Sequence, residues 1–373
     1  MKSLEHRRCW VEVDGRALRH NFRLLRGLVP RPTRLLAVVK ANAYGHGLVP
    51  MAQELEAIGT DWLGVANVAE GAATRAGGVR LPILLLSATL PEEMEEAIRK
   101  KLVLVLSSYE EAKRLDRIAR KLHRKAEAHF KIDTGMGRLG CWHKYAQKEL
   151  ERIRRLPGLA LTGLCTHFAS ADDNAGLTQL QWQTISPFFD EHADLLRHAA
   201  NSPAVTRRYG FNADMVRVGL ALYGIAPNPD DQGLGLRPVL TWKSRVTLLH
   251  EMERGRTVSY GATYRVSSPQ RQAVVAMGYG DGYFRLHSNA SHMLVRGKRC
   301  PIRGRVTMDQ IMIDVTRVPG CRVGEEVVAL GAQGDEEIFA RELATQAHTI
   351  PWEILTNIGS RVPRIYKNFK TSS

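Results

Sequence analysis

Up to about residue 225, short apolar runs alternate with segments of helical length, and no other feature restricts the fold as strongly. The runs are LLAVVK (35–40), WLGVAN (62–67), ILLLS (83–87), LVLVLS (102–107), AHFKID (128–133), LTGLCTHF (161–168), RHAANS (197–202) and VRVGLALYG (216–224). Between most of them lie stretches such as PEEMEEAIRK, SYEEAKRLDRIARK and HKYAQKELERIRRL, with Pro91 and Ser108 as helix-start residues. Parallel neighbours need crossovers of this length, and eight such units close a (β/α)8 TIM-type barrel. An open doubly wound sheet uses the same units and is the competing architecture at this point.

After Gly224 the pattern changes. IAPNPDDQGLGLRP (225–238) is rich in Pro, Gly and Asp and reads as a link. TWKSRVTLLHEM, RTVSYGATY, QAVVAMGYG, SHMLVRGK, GRVTMDQIMIDVT and CRVGEEVVALG then read as strand-like runs separated by glycine-bearing turns, with IFARELATQAH as one late helix. The expectation is an α/β protein: an N-terminal barrel over 1–238 and a mainly antiparallel C-terminal β-domain over 239–373. A first strand near 10–14 is available to join the β-domain.

The 373 residues carry 24% charged and 44% hydrophobic side chains, an ordinary globular balance, and no window approaches the roughly 18 apolar residues of a membrane helix. No membrane partner is expected. The formal charge of +15 raises the question of nucleic acid, but the cations are dispersed over amphipathic helical patterns, where they form a solvated face, so none is expected. Cys9, Cys141, Cys165, Cys300 and Cys321 are odd in number and lack CxxC spacing, which argues against a disulfide framework or a zinc site. With no apolar leader in the first residues, a reducing cytoplasm is the expected location.

In a barrel of this kind the carboxyl ends of the strands form the active face. Lys40 and Tyr44 follow the first strand, Lys131 and Asp133 end the fifth with Arg138 just beyond, His167 ends the sixth, Asn201 and Ser202 end the seventh, and Arg217 lies in the eighth. A partly desolvated lysine loses pKa and becomes able to form a Schiff base, the chemistry that pyridoxal phosphate requires. Tyr44 and Ser202 offer hydroxyls, residues 218–220 offer backbone N–H groups, and Arg217 or Arg138 offers a paired fork to a carboxylate. GYGDGY lacks the spacing of a dinucleotide loop, HFASADD has no second His or Cys at ligand spacing for a metal, and His46 serves the loop as readily as chemistry.

The segments AVVKANAYGHG, KIDTGMGRLG (131–140), THFASAD (166–172), FNADMVRVGLALYG (211–224), TVSYGATY (257–264), GYGDGY (278–283), GRVTMDQ (304–310) and SRVPRIY (360–366) together resemble the bacterial alanine racemases, in order, from about Trp10 to Tyr366. The resemblance implies a fold-type III pyridoxal 5'-phosphate barrel with a C-terminal β-domain, acting as a homodimer whose sites each draw on both chains. It implies interconversion of L- and D-alanine for peptidoglycan; a serine or broad-specificity amino-acid racemase of the same fold is the alternative.

By motif position Lys40 would hold the cofactor and act as one base, and Tyr260 of the second chain would be the other, assisted by His167 and Arg217. Tyr44, His167, Asn201, Ser202, Arg217, Gly219 and Leu220 match cofactor-binding positions, and Arg138, Met308 and Tyr279 match substrate-side positions. Lys131 matches a lysine that many members carbamylate to hold the arginine. Asp172, Arg285 and Arg305 match the entry corridor, and Ser360 stands where some members have a tyrosine. Two bases are needed because a planar carbanion must lose its proton from one face and regain one on the other. An arginine facing the ring nitrogen cannot give up its proton, so it leaves that nitrogen unprotonated and the electron sink shallow.

Overall fold

A computed structural model describes residues 7–209 and 213–370 of the chain. Phe211 and Asn212 of the FNADM segment, and both chain ends, lie outside the described residues. The chain divides into two compact units, one made of residues 18–43 and 47–237, the other of residues up to 17, 44–46 and 238 onward.

The first unit is the barrel. Its strands are Arg34–Val38, Trp62–Val65, Ile83–Leu85, Leu104–Leu106, Ala126–Asp133, Leu159–Cys165, Leu196–His198 and Met215–Val218, called the first to eighth barrel strands below. All neighbours are parallel, the eighth pairs with the first through Met215↔Arg34 to Val218↔Ala37, and the Leu84↔Val103 bridge joins the third strand to the chain entering the fourth. The cylinder is therefore closed, and the open doubly wound alternative falls. Leu35, Leu36, Ala37, Leu63, Leu84, Leu104, Phe130 and Leu164 are wholly buried, as strands covered on both faces require.

The crossover helices follow from local chemistry. Helix Tyr109–Lys121 starts where the Ser108 side chain accepts the Glu111 N–H, and Glu111 in turn accepts the Ser107 N–H. Glu110 and Glu111 stand in its first turn and Arg120 and Lys121 in its last, each complementing the helix dipole, while Ala112, Leu115 and Ala119 pack inward.

Several sequence-predicted strands run too long at their carboxyl ends. The first stops at Val38, the sixth at Cys165, the seventh at His198 and the eighth at Val218. Apolar composition continues past the point where the backbone leaves the sheet, and the extra residues build rim turns instead. Asn67 and Asn201 cap helices, and Leu220–Tyr223 is a 3-10 turn. The stretch 225–238 is likewise more than a link. Pro229–Leu234 is a 3-10 turn, and the Asp231 carboxylate accepts from the Thr206 hydroxyl and the Asn228 amide.

The second unit is built on a nine-stranded sheet ordered Lys298–Pro301, His292–Val295, Glu326–Gln333, Leu240–Met252, Cys9–Asp14 and Arg364–Lys367, with Gln270–Val275, Ile311–Asp314 and Glu336–Ile338 branching from it. Every pairing in it is antiparallel except Cys9–Asp14 with Arg364–Lys367. Leu240–Met252 alternates buried and half-buried residues along its first half, with Trp10, Trp242 and Tyr283 as the largest buried side chains of this unit. The front half of GRVTMDQIMIDVT and the centre of RTVSYGATY are loop rather than strand, and Pro351–Thr356 adds a helix that the sequence pattern did not single out.

Candidate active site

The barrel rim begins with a backbone anomaly. Lys40 follows the first strand, and Ala41, Asn42, Ala43 and Tyr44 then adopt φ of 53°, 54°, 52° and 51°, a full left-handed turn made without glycine. Each such residue costs about 1–2 kcal/mol. The turn is held by hydrogen bonds: Ala43 N–H to Val39 O at 2.8 Å, Gly47 N–H to Asn42 O at 2.9 Å, Leu48 N–H to Asn42 Oδ1 at 2.8 Å and Asn42 N–H to Glu70 Oε1 at 3.3 Å. Glu70 also accepts the Ala66 N–H at 2.8 Å, which ties the turn to the end of the second strand. Lys40 is half-buried, and desolvation, with Arg138 adding repulsion, lowers its pKa against the opposing pull of Glu70. A larger neutral fraction makes it a better nucleophile and base.

Arg217 is the centre of the rim's polar network. Buried in the eighth strand, it donates to His198 Nδ1 at 2.5 Å, His167 Nδ1 at 3.0 Å, Thr166 O at 2.8 Å and Ala199 O at 2.8 Å. His198 lies 2.8 Å, Nε2 to Nδ1, from the wholly buried His129 of the fifth strand. Burial first, then Arg217, drives the pKa of His167 and His198 well below the ordinary range and that of His129 down to about 3. All three rings are neutral at pH 7. His167 lies two residues beyond the sixth strand, and its carbonyl is held by Gln181 Nε2 at 3.1 Å, the same amide that reaches Thr134.

Lys131, on the fifth strand, is 7% exposed and has its pKa lowered to about 8, chiefly by burial, with Arg217 and Arg138 repelling its charge and Cys165 and Asp133 opposing them. Asp133 accepts the N–H groups of Gly135, Met136 and Gly137, which shapes the loop carrying the exposed Arg138. On the other side of the rim Asn201 Oδ1 caps the short helix Ser202–Thr206, and Ser202 Oγ accepts the Gly219 N–H at 2.8 Å. That bond leaves the serine proton free to donate. Leu220 and Ala221 open a 3-10 turn whose first N–H groups have no intrahelical partner.

Tyr44 and His46 group with the second unit. The Tyr44 phenol is buried, which raises its pKa, and His46 Nδ1 stands 2.9 Å from Tyr44 O, so that histidine serves the loop. The remaining candidates, Asp172 apart, sit in loops of the same unit. Tyr260 is 71% exposed on a 3-10 turn flanked by left-handed Ser259, whose hydroxyl donates to Arg305 O at 2.7 Å. Tyr279 N–H donates to Thr307 O at 3.0 Å and Gly280 N–H to Met308 O at 2.9 Å, which joins the GYGDGY and TMDQ segments. Gly278 permits this approach, since a Cβ there would stand 2.2 Å from Thr307 O. Arg361 pairs with Asp281 and Asp309 beside them. Met308, Arg285 and Ser360 are exposed, whereas Asp172, in the barrel unit, is half-buried and its carbonyl accepts from Arg207.

Residues 13–227 match the family model described as "Alanine racemase, N-terminal domain", and residues 239–366 match "Alanine racemase, C-terminal domain". The chain belongs to the alanine racemase family. It is 46% identical over 368 residues to the alanine racemase of Methylacidiphilum infernorum, covering 99% of this chain and 95% of that one. It is 41% identical to that of Halothermothrix orenii, covering 96% and 97%. Among solved structures, alanine racemase from Bacillus anthracis with bound L-Ala-P superposes with a TM-score of 0.91 at 34% identity, covering 99% of this chain and 97% of that one. Alanine racemase from Clostridium difficile 630 gives 0.91 at 34%, covering 97% and 96%.

For this family member, sequence reasoning missed His129, His198, Glu70, Thr134 and Gln181. The histidines lie within strands that read as plain apolar core, and their pairing spans 69 positions. A polar residue inside such a run was the available signal, since a buried imidazole needs a partner. Glu70 and Gln181 sit on helices, where solvent exposure is the ordinary reading.

Proposed function

We propose that the chain interconverts L-alanine and D-alanine with pyridoxal 5'-phosphate held at the barrel rim. The observation that carries the reading is the half-buried, pKa-lowered Lys40 on the same rim as the buried Arg217. The donor set fits the cofactor: an amine for its aldehyde, a spare hydroxyl proton on Ser202 with the N–H groups of Leu220 and Ala221, unpaired among the described residues, for a phosphate, and the Arg217 fork for a ring nitrogen. Pyridoxal phosphate, when bound, would acidify the Cα–H bond of an amino acid by drawing off electron density.

In this reading the Lys40 amine removes or returns a proton on one face, and the Tyr260 phenol from a second copy does so on the other. Arg217 offers only donors and does not give up a proton, which favours brief charge at Cα and simple proton return. Arg138 pairs with the substrate carboxylate, Met308 gives it a backbone N–H, and Tyr279 narrows the entrance. Lys131, with a pKa of about 8, has enough neutral amine near neutral pH to take up carbon dioxide. The resulting carbamate would exchange a cation facing Arg138 for an acceptor. Asn201 supports the Ser202 helix beside Gly219.

A head-to-tail homodimer is therefore part of the proposal, as is a role in supplying D-alanine for peptidoglycan. We place the reaction in the cytoplasm because all five cysteines are free. Among the described residues no helix is long and apolar enough to cross a membrane. The test is the visible spectrum of the purified protein before and after borohydride, with mass mapping of the modified residue. The reduced cofactor is expected on Lys40. Its attachment elsewhere, or a colourless protein that still racemises alanine, refutes the reading.

A further inference from the structure

The hydrogen bonds around Arg217 determine where three protons sit. A guanidinium has only donors, so His198 Nδ1 and His167 Nδ1 must both be unprotonated acceptors. Each neutral ring therefore carries its proton on Nε2. In His198 that nitrogen faces His129 Nδ1 at 2.8 Å, so His129 must accept, and its own proton moves to Nε2. There it is buried without a hydrogen-bond partner among the described residues, with the Trp62 indole 5.4 Å away between ring centroids. The opposite tautomer of His129 would require His198 to accept on Nε2 and so to turn an Nδ1–H toward Arg217, donor against donor. No assignment of neutral rings satisfies every bond and also removes the stranded Nε2–H of His129.

The fold makes room for this arrangement. His129 and His198 come from the fifth and seventh strands, alternate strands being the ones that share an interior layer of such a barrel. The sixth strand between them has Gly163 opposite His129, and a Cβ there would stand 2.5 Å from His129 Cδ2. A ring is packed where most barrels place an aliphatic side chain, and a glycine faces it.

We propose that His129 is a positioning residue: by accepting the His198 Nε2–H it completes a relay, His129–His198–Arg217–His167, that holds the Arg217 fork in place and presents His167 at the rim as a donor through Nε2–H. The role in catalysis rests on the proposed racemase reading; the proton positions do not. Without an acceptor at 129, the His198 ring is free to flip or to shift its proton to Nδ1. Arg217 then loses one of its four partners, and the geometry of His167 loosens with it.

The proton positions are read directly by solid-state NMR of holoenzyme labelled uniformly with 13C and 15N, each histidine ring being assigned through its correlations to its own backbone. All three rings should show the Nε2–H tautomer. A protonated Nδ1 on His129 or His198 overturns the relay, and this measurement needs no variant at position 129 to fold.

The second arm compares His129→Asn, whose amide oxygen replaces the acceptor, with His129→Phe, which has none. The asparagine variant should keep the His198 Nε2–H signal and most of kcat. The phenylalanine variant should show mixed His198 tautomers and a roughly tenfold lower kcat at nearly unchanged KM. Equal kcat and an unaltered His198 signal in both variants refute the positioning role. Intact tautomers in a protein that does not racemise alanine refute the reaction while the relay stands.

Discussion

Acid stability offers the sharpest test of how this molecule is packed. His287 lies in the β-unit, 1% exposed, against Tyr283 at 4.7 Å between ring centroids, with Nδ1 lacking a hydrogen-bond partner among the described residues. Burial takes its pKa down to about 4 from an unfolded value of about 6.5. Because the folded pKa is depressed, the folded ring stays neutral while the unfolded chain takes up a proton, so stability falls as pH falls below 6.5. From pH 7 to pH 5 the unfolded ring gains about three quarters of a proton and the folded one about a tenth. Integration gives a loss of about 2 kcal/mol. His129, with a pKa of about 3, adds a similar amount, and His167 and His198 shift in the same direction.

These losses together are a large part of a typical stability of about 5–15 kcal/mol. The lowered carboxylates Asp194 and Asp214 lose their contribution only as pH falls through about 4, and Glu337, raised by burial, shifts stability the opposite way, so the loss between pH 7 and 5 comes from the histidines. The assay is urea unfolding at pH 7 and pH 5, at fixed protein concentration, for the parent and His287→Asn. The substitution will cost stability at both pH values, but the drop between them should shrink by about 2 kcal/mol. An unchanged drop refutes the assignment of His287 as a neutral buried base.

Mixing separately inactive Lys40→Ala and Tyr260→Phe proteins tests the composite dimer. Each hybrid dimer has one wholly intact site, so random exchange should restore roughly a quarter of parental activity, measured as D-alanine formed; no recovery despite hybrid formation refutes it. Gly278→Ala should destabilise the β-unit by about 1–3 kcal/mol in urea unfolding, because its Cβ meets two carbonyl oxygens, and should raise KM by moving Met308. A silent substitution would show that the Tyr279 and Met308 turns are not held together there. Asn201→Ala removes the cap on Ser202–Thr206 and should cost about 1 kcal/mol while weakening cofactor retention on dialysis. Intact-mass analysis under bicarbonate should find one added carbon dioxide, lost in Lys131→Ala, and its absence refutes the carbamate.

Much of this arrangement is local and therefore visible in the one-dimensional chain. Apolar runs bounded by turn formers mark the strands, Ser108 and Pro91 mark helix starts, and a lysine at the end of such a run marks a rim position, because each depends on residues within one or two turns of backbone. Strand ends were overestimated because composition does not say where the ladder of hydrogen bonds stops, as at Val38 and Cys165. The left-handed turn after Lys40 was invisible as well. Ala41 and Ala43 have no preference for positive φ, and the conformation persists only because bonds from Val39, Asn42 and Glu70 hold it.

The chain's own order thus determined the eight repeating units, the second β-rich region and the lysine around which a site could form. Only the closed cylinder decided that His129, His198, His167 and Arg217, drawn from four different strands and their ends, would share one hydrogen-bonded network. The physical reason is that a buried polar group is defined by its partner rather than by its neighbours in sequence. Partners 19 to 69 residues apart meet only when barrel register brings their layers level.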